Sequence, residues 1–152
     1  MDTTIREYCD GDFDSVHNIR MEVVKEPYSQ AVFLRQSHEV SPDLFLVAEC
    51  ESRILGFIIG ACVLNNSKKG WILSFAVEGG CRRTGVGRKL LRGILSKFDS
   101  LGANEVYLTV SPENRPAMNL YESEGFRKTD FVPDYFGPGE DRNMMRLVFS
   151  RL

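Results

Sequence analysis

The stretch Arg82-Arg83-Thr84-Gly85-Val86-Gly87-Arg88 follows a predicted strand and opens a predicted helix. Backbone N–H groups and the helix dipole attract anions to such a position. A Walker A loop is excluded because Val86-Gly87 replaces the required Lys and Ser/Thr, and a dinucleotide fingerprint is excluded because Leu90 replaces its last glycine. The remaining pattern, R-x-x-G-x-G with flanking arginines, predicts a loop that binds a small polyanion.

The charge distribution agrees with this interpretation of the loop. Residues 1–51 hold 11 acids and 4 bases, whereas residues 52–152 hold 10 acids and 15 bases, and the whole chain has a net charge of −2. Five of the bases fall within 11 residues, namely Arg82, Arg83, Arg88, Lys89 and Arg92. A duplex-binding surface needs a wide basic stripe on a basic domain, so we expect no nucleic-acid partner.

The elements on either side of the loop predict an α+β fold. A strand at residues 71–77 precedes the loop, and the helix after it keeps one apolar face at helical spacing until Gly102. A strand at residues 105–110 follows. Because strand–helix–strand crossovers are right-handed and return to the same sheet, these two strands are expected to be parallel neighbours.

The rest of the chain is expected to complete a mixed, mostly antiparallel sheet within one domain, residues 1–152. Pro27 is expected to interrupt the first helix pattern, and residues 65–70 are expected to form a hairpin turn. The other predicted elements are strands at 3–6, 44–48, 54–64, 126–132 and 143–149, and helices at 13–24, 31–36 and 116–123.

Several features bound the environment of the protein. The longest apolar run, residues 54–64, has 11 residues, whereas a membrane-spanning helix needs about 20. The opening residues lack the apolar stretch of a secretory signal, so we expect a cytoplasmic protein without membrane contact. The four cysteines show no C-x-x-C spacing, and we therefore expect free thiols and no metal site.

A second motif follows the strand at residues 105–110. Asn114, Ala117, Leu120-Tyr121 and Gly125-Phe126 form the pattern N-x-x-A-x-x-L-Y-x-x-x-G-F. With Phe75-Ala76-Val77 and the glycine loop, this motif resembles the GNAT superfamily of acetyl-CoA-dependent N-acetyltransferases over nearly the whole chain, and most closely its ribosomal-protein alanine and N-terminal acetyltransferases. The resemblance implies two central parallel strands that splay apart.

The resemblance also implies how acetyl-CoA is bound. The backbone of the strand before the loop would hold the pantetheine arm, the loop would hold the pyrophosphate, and Asn114 would hold the pantetheine amide. Tyr121 would lie near the thioester sulfur and protonate the departing thiolate. The implied cofactor-binding residues are Phe75, Ala76, Val77, Arg82, Arg83, Thr84, Gly85, Val86, Gly87, Arg88, Lys89, Asn114 and Tyr121. Structural interpretations remain open for Asn114, as a helix-start residue, and for Tyr121, as a core aromatic.

The sequence does not identify the general base. Ribosomal-protein alanine acetyltransferases carry a glutamate where this chain has Thr109, and eukaryotic N-terminal acetyltransferases use tyrosine and histidine where Trp71 and Thr109 stand. Glu26 and a water chain are the remaining candidates. The segment at 134–141 resembles a hairpin that folds over a peptide, so Tyr135 is predicted to contact the acceptor. Glu26, in the loop between the first two helices, is predicted to contact the acceptor as well.

The resemblance implies transfer of an acetyl group to a primary amine, with a protein N-terminal α-amine as the first expectation. Two alternatives are an acetyltransferase for small amines, such as a polyamine or an aminoglycoside, and a non-catalytic acyl-CoA-binding module. The oligomeric state, including a homodimer, is left open by the sequence.

Overall fold

Seven strands form a mixed sheet in the computed structural model, which describes residues 2–82 and 84–150. The strand order is β1-β2-β3-β4-β5-β7-β6. The strands are β1 (Thr4–Glu7), β2 (Phe45–Cys50), β3 (Arg53–Val63), β4 (Asn66–Val77), β5 (Glu105–Val110), β6 (Arg127–Val132) and β7 (Arg142–Val148). The helices are α1 (Phe13–Met21), α2 (Pro27–Val40), α3 (Val86–Ser100) and α4 (Arg115–Ser123). The predicted α+β class is confirmed.

The parallel step of the sheet is short. β4 and β5 are registered from Lys69 opposite Glu105 to Trp71 opposite Tyr107, although β4 continues to Val77 and β5 to Val110. By contrast, β5 pairs antiparallel with β7 over its whole length. The predicted parallel pairing of these two strands is confirmed.

The first compact unit, unit 1, contains the described residues of Met1–Ala61 and Leu73–Lys97. Its strands carry side chains alternately to two faces. Helices α1 and α2 cover one face, where the buried side chains are Tyr8, Val16, Ile19, Leu34, Phe45, Val47, Ile54, Phe57 and Ile59. Helix α3 covers the other face with Leu90, Leu91 and Ile94, all fully buried. Burial of such aliphatic and aromatic side chains contributes about 1.5–3 kcal/mol each.

The second unit, unit 2, contains Cys62–Ile72 and the described residues of Phe98–Leu152. Helix α4 packs on one face of β5 and β7, where Val106, Leu108 and Met145 are buried. The buried Asn143 amide donates to the Met118 sulfur of α4 at 3.2 Å. The residues between these buried positions point to the opposite face and are half-buried.

The helix expected at residues 31–36 is longer in the structure than predicted. Helix α2 runs from Pro27 to Val40, and Pro27 occupies its first turn. Proline is favourable there because the first helical N–H groups have no intrahelical acceptor and its fixed φ suits a helix. The proline that ends the first helix pattern therefore also begins the next helix. Helix α1 ends at Met21, three residues before the predicted end.

The turn expected at residues 65–70 is also corrected. Only Leu64 and Asn65 form the turn, and β4 begins at Asn66. The polar stretch is extended because its backbone finds partners: the Lys68 carbonyl accepts from the Asn104 N–H at 2.6 Å, and Lys69 and Gly70 pair with β5. Strand pairing thus outweighs the turn tendency of the sequence.

The described part of the chain contains no helix with the length and apolarity needed to cross a membrane. All four cysteines are free thiols.

Candidate active site

The end of β4 is fixed by close backbone packing within unit 1. A Cβ on Gly56 of β3 would lie 2.9 Å from the Ala76 carbonyl oxygen and 3.1 Å from Leu90 of α3. Glycine at position 56 therefore allows the strand and the helix to approach each other. The Glu78 N–H donates to the Leu55 carbonyl at 2.8 Å, so the strand is still held where the loop begins.

Arg20 of α1 is a partly buried side chain that the sequence interpretation missed. Its guanidinium donates to Gln30 of α2 and to Ser74 of β4, and it lies 4.3 Å from the centre of the Phe33 ring. Burial lowers its pKa. Arg20 thus ties two helices to the residue that precedes the predicted cofactor strand. Its position four residues after the buried Val16, on the same helix face, is the signal that could have revealed it.

The glycine loop lies directly between β4 and α3. Residues Gly79–Cys81 form one 3-10 turn, and Gly85 has a φ of +88°, a region that side chains with a Cβ rarely adopt. A Cβ there would meet no atom of the described residues within 4 Å. The Thr84 hydroxyl donates to the Cys81 carbonyl. The loop therefore leaves open space beside Gly85.

The start of α3 has the electrostatics that an anion requires. Its first turn contains no acidic residue, and helix N-termini carry partial positive charge. Val86 is buried and Gly87 half-buried, while the basic side chains Arg82 and Lys89 are exposed and Arg88 is half-buried. The predicted contribution of Arg83 lies outside the described residues.

Two predicted residues of unit 2 lie on or before α4. The side-chain amide oxygen Oδ1 of Asn114 accepts from the Ala117 N–H at 3.3 Å and caps the helix. Tyr121 is buried against Phe126, with the ring centres 5.8 Å apart, and burial raises its pKa. With its pKa raised, Tyr121 is protonated at neutral pH and is a weaker acid than an exposed tyrosine. Asn114 is therefore a helix cap and Tyr121 a buried aromatic residue, as the structural interpretations expected. The roles predicted for both residues at acetyl-CoA stay predictions.

Tyr135 belongs to the loop between β6 and β7. The Asp134 carboxylate accepts from the Gly139 N–H at 2.7 Å, and the Asp141 carboxylate accepts from the Asp134 N–H at 2.9 Å. The Tyr135 ring is 43% exposed and meets Phe136 edge to face at 4.8 Å. The loop is thus braced by its own acids and presents two aromatic rings to solvent.

Glu26 is the cap of α2. Its carboxylate accepts from the backbone N–H groups of Tyr28 at 3.2 Å and Ser29 at 2.7 Å, and from the Ser29 hydroxyl. These bonds lower its pKa, with the Ser29 hydroxyl as the largest cause. A carboxylate stabilised in its ionised form is a weak proton acceptor, which argues against Glu26 as the base. Its contact with the acceptor stays a prediction.

Trp71 and Thr109 lie on the half-buried face of unit 2. The Trp71 ring stacks on Tyr107, with centres 5.5 Å apart, and Thr109 is registered opposite Met144 of β7. Neither side chain is a base near neutral pH. Across residues 2–82 and 84–150, no group of three His, Cys, Asp or Glu side chains is placed to hold a metal ion.

The predicted residues fall into separate groups. Unit 1 contains the end of β4, the glycine loop and the start of α3, and it also contains Glu26 at the start of α2. Unit 2 holds Asn114 and Tyr121 with α4, and Tyr135 on its own loop. Each group is therefore described within its own unit, and the roles predicted for its residues stay predictions.

Comparison with known proteins gives the family. Residues 12–126 match the acetyltransferase (GNAT) family, and the chain belongs to this family of N-acetyltransferases, which use acetyl-CoA. It is 33% identical over 142 residues to an uncharacterised N-acetyltransferase of Methanocaldococcus jannaschii, covering 93% of this chain and 88% of that protein. It is 31% identical over 144 residues to an N-alpha-acetyltransferase of Sulfurisphaera tokodaii, covering 88% and 86%.

A solved structure agrees. The crystal structure of Ard1 from Thermoplasma volcanium matches 99% of this chain and 100% of that chain, with a TM-score of 0.89 and 31% sequence identity.

Proposed function

We propose that this N-acetyltransferase acetylates the N-terminal α-amine of proteins. The observation that carries the proposal is that Trp71 and Thr109, the two positions where the resemblance locates catalytic bases, carry no base. The similarity to an N-alpha-acetyltransferase over 88% of the chain supports it. So does the loop that exposes Tyr135, since an aromatic ring on a loop held by its own hydrogen bonds suits contact with a peptide.

The pKa of the acceptor amine explains why an enzyme without a strong general base can acetylate an α-amine. A peptide α-amine has a pKa of about 7.7–8.0, whereas a lysine side chain has one of about 10.4. At pH 7.5 about a third of α-amines are neutral, against roughly a thousandth of lysine amines. An enzyme for lysine must supply about 3.5 kcal/mol more to deprotonate its acceptor. A site without a strong base is therefore better matched to an α-amine.

The residues of unit 1 fit the phosphates of acetyl-CoA. The open space at Gly85 and the acid-free first turn of α3 suit a pyrophosphate. In this proposal Arg82, Thr84, Val86 and Gly87 surround the pyrophosphate, and Arg83, Arg88 or Lys89 reach the 3′-phosphate. The backbone of Phe75, Ala76 and Val77 holds the pantetheine arm.

The residues of unit 2 supply orientation and a proton. Asn114 holds the pantetheine amide with the part of its side chain that does not cap α4. Acetyl-CoA supplies the activated acetyl thioester. The acceptor nitrogen attacks the thioester carbon, so that a C–N bond forms and the C–S bond breaks. Tyr121 gives its proton to the leaving sulfur, and the proton lost by the amine passes to water and restores Tyr121.

The test compares two peptides in a CoA-release assay between pH 6 and pH 9. One has a free N-terminus and no lysine, and the other is N-acetylated and contains a single lysine. We expect the free N-terminus to be the better substrate at pH 7.5. Faster turnover of the blocked lysine peptide would overturn both the base argument and the N-terminal assignment.

A small amine serves as a third acceptor, because the acid-rich residues 1–51 favour a polycation. Spermidine turned over faster than either peptide would assign the enzyme to small amines. CoA binding without turnover of any acceptor would leave only the acyl-CoA-binding module.

A further inference from the structure

Unit 2 has an open sheet face that combines aromatic rings with positive charge. Strand alternation turns Val106, Leu108 and Met145 towards α4 and turns their neighbours the other way. The residues on this open face are Lys69 and Trp71 of β4, Glu105, Tyr107 and Thr109 of β5, and Arg142, Met144 and Arg146 of β7. All eight are half-buried in the whole chain. They include three cations and one carboxylate, although the chain as a whole is acidic.

Of the three cations on the open face, Lys69 has the weakest pairing with negative charge. Its ammonium lies 4.5 Å from the centre of the Tyr107 ring, and Tyr107 in turn stacks on Trp71. Lys69 makes no ion pair with any residue of 2–82 or 84–150. A cation held over a ring, with no described carboxylate within ion-pair distance, is placed to receive an anion from a ligand.

A second observation, at Arg146, also points to a missing anion on the open face. Its guanidinium approaches the Glu105 carboxylate at 3.3 Å, but its Nε is buried and has no hydrogen-bond partner among the described residues. Arg146 is registered opposite Tyr107 on one side and opposite Arg127 on the other, and like charges directly opposite each other destabilise a sheet.

We propose that the open face binds acidic side chains of the acceptor polypeptide a few residues after its terminal amine. The inference rests on the proposed function, because it places the amine near Thr109. Lys69 is registered opposite Glu105, four residues from Thr109 along β5. Four residues of strand span about 13 Å, which an extended acceptor covers in about four residues. Acidic residues at about positions 4 to 6 therefore reach Lys69 and Arg146.

A peptide is favoured over nucleic acid as the occupant. Nucleic-acid surfaces present a broad stripe of cations, whereas Arg142 on this face is already paired with Glu140 at 3.7 Å and Arg146 with Glu105. The face offers one uncompensated lysine and one partly satisfied arginine beside two stacked rings. Such a surface recognises one or two carboxylates on an apolar chain.

The test uses three peptides with the same free N-terminus, carrying Asp at positions 4–6, Asn at positions 4–6, or Asp only at positions 9–11. We expect the first to have a kcat/KM about fivefold above the other two at low salt, mainly through KM. The advantage should shrink at high salt, because exposed ion pairs are screened. Equal kcat/KM for all three overturns the inference and leaves N-terminal acetylation standing. Failure of every peptide as a substrate overturns the proposed function itself.

Two lysine variants provide a matched control. Lys69→Gln should remove the preference for the acidic peptide, and Lys69→Glu should reverse it in favour of a basic peptide. Lys128 of β6 also lies over a ring, 5.8 Å from the centre of Phe131, but it is registered with the buried Met145 and points to the α4 side. Lys128→Gln should leave the preference unchanged. A loss of preference as large in Lys128→Gln as in Lys69→Gln would indicate bulk charge and overturn the inference.

Trp71 allows docking to be measured without turnover, because it is the only tryptophan of the chain. The acidic peptide should change its fluorescence in the wild type, and this change should be lost in Lys69→Gln. A single-stranded oligonucleotide is titrated in parallel. If it changes the fluorescence at lower concentration than the acidic peptide, the face belongs to nucleic acid and the peptide proposal is wrong.

Discussion

The starts of α2 and α3 differ in what can accept hydrogen bonds from their first backbone N–H groups. Every helix begins with backbone N–H groups that lack an intrahelical acceptor. Helix α2 satisfies its first donors with the Glu26 carboxylate, whereas α3 begins beside the open space at Gly85 and carries no acid in its first turn. The first arrangement completes the helix from within the chain. The second is suited to an anion that comes from outside.

Helix α4 resembles α2 at its start, since Asn114 caps it. In the proposed mechanism, the contribution of α4 therefore comes from the Tyr121 side chain and not from its backbone N–H groups. Glycine, basic residues and an acid-free first turn, taken together, set the start of α3 apart from the capped starts of α2 and α4. Each half of this distinction can be tested by substitution.

The largest effect is expected from Gly85→Glu. A side chain and a negative charge at the start of α3 should abolish acetyl-CoA binding in calorimetry. Gly102 is a matched control, because it also has a positive φ, of +84°, and open space around it, but lies after the end of α3. Each substitution should cost about 1–2 kcal/mol of backbone strain, and only Gly85→Glu should lose the cofactor. Wild-type affinity in a folded Gly85→Glu would remove the loop from the site.

The next effect tests the side-chain role of α4. Tyr121→Phe retains the ring and deletes the proton donor, so kcat should fall about 10- to 1000-fold, around the range for general acid catalysis. The melting temperature should change little. Tyr8→Phe is the control, because Tyr8 is also a buried tyrosine and its hydroxyl has no hydrogen-bond partner among the described residues. Full activity in Tyr121→Phe would leave Tyr121 as a core aromatic only.

A smaller effect separates the two roles of Asn114. Asn114→Ala removes the cap and should cost about 1 kcal/mol of stability. Asn114→Asp keeps a good capping oxygen but loses the amide donor, so its stability in urea unfolding should remain near that of the wild type. If the amide holds pantetheine, the KM for acetyl-CoA rises several-fold in both variants. A normal KM in Asn114→Asp would restrict Asn114 to capping.

The same helix starts show what the sequence could predict. Helix α3 and its loop were found because a long amphipathic pattern and clustered glycines are local signals. Helix α2 was placed too short because a proline was interpreted only as an end. The ties between Arg20 and Ser74, and between Lys69 and Tyr107, join residues more than 35 positions apart. Such contacts depend on strand order and register, which local patterns do not specify.

The smallest effect concerns Glu26, and it tests the structural half of the comparison. The pKa of Glu26 in the folded protein is lowered by its bonds to Ser29 and Tyr28. A group with a lowered pKa stabilises the fold above its unfolded pKa, about 4.3 for glutamate, and this contribution is lost as the pH falls through the folded value. Glu26→Gln should therefore be less stable than the wild type at pH 7, and the difference should shrink below about pH 4. Its affinity for acetyl-CoA should not change. Urea unfolding at both pH values measures the first effect, and calorimetry measures the second. A difference in stability that is independent of pH, or a loss of acetyl-CoA affinity, would show that Glu26 does more than cap α2, and the contrast between the two helix starts would fail.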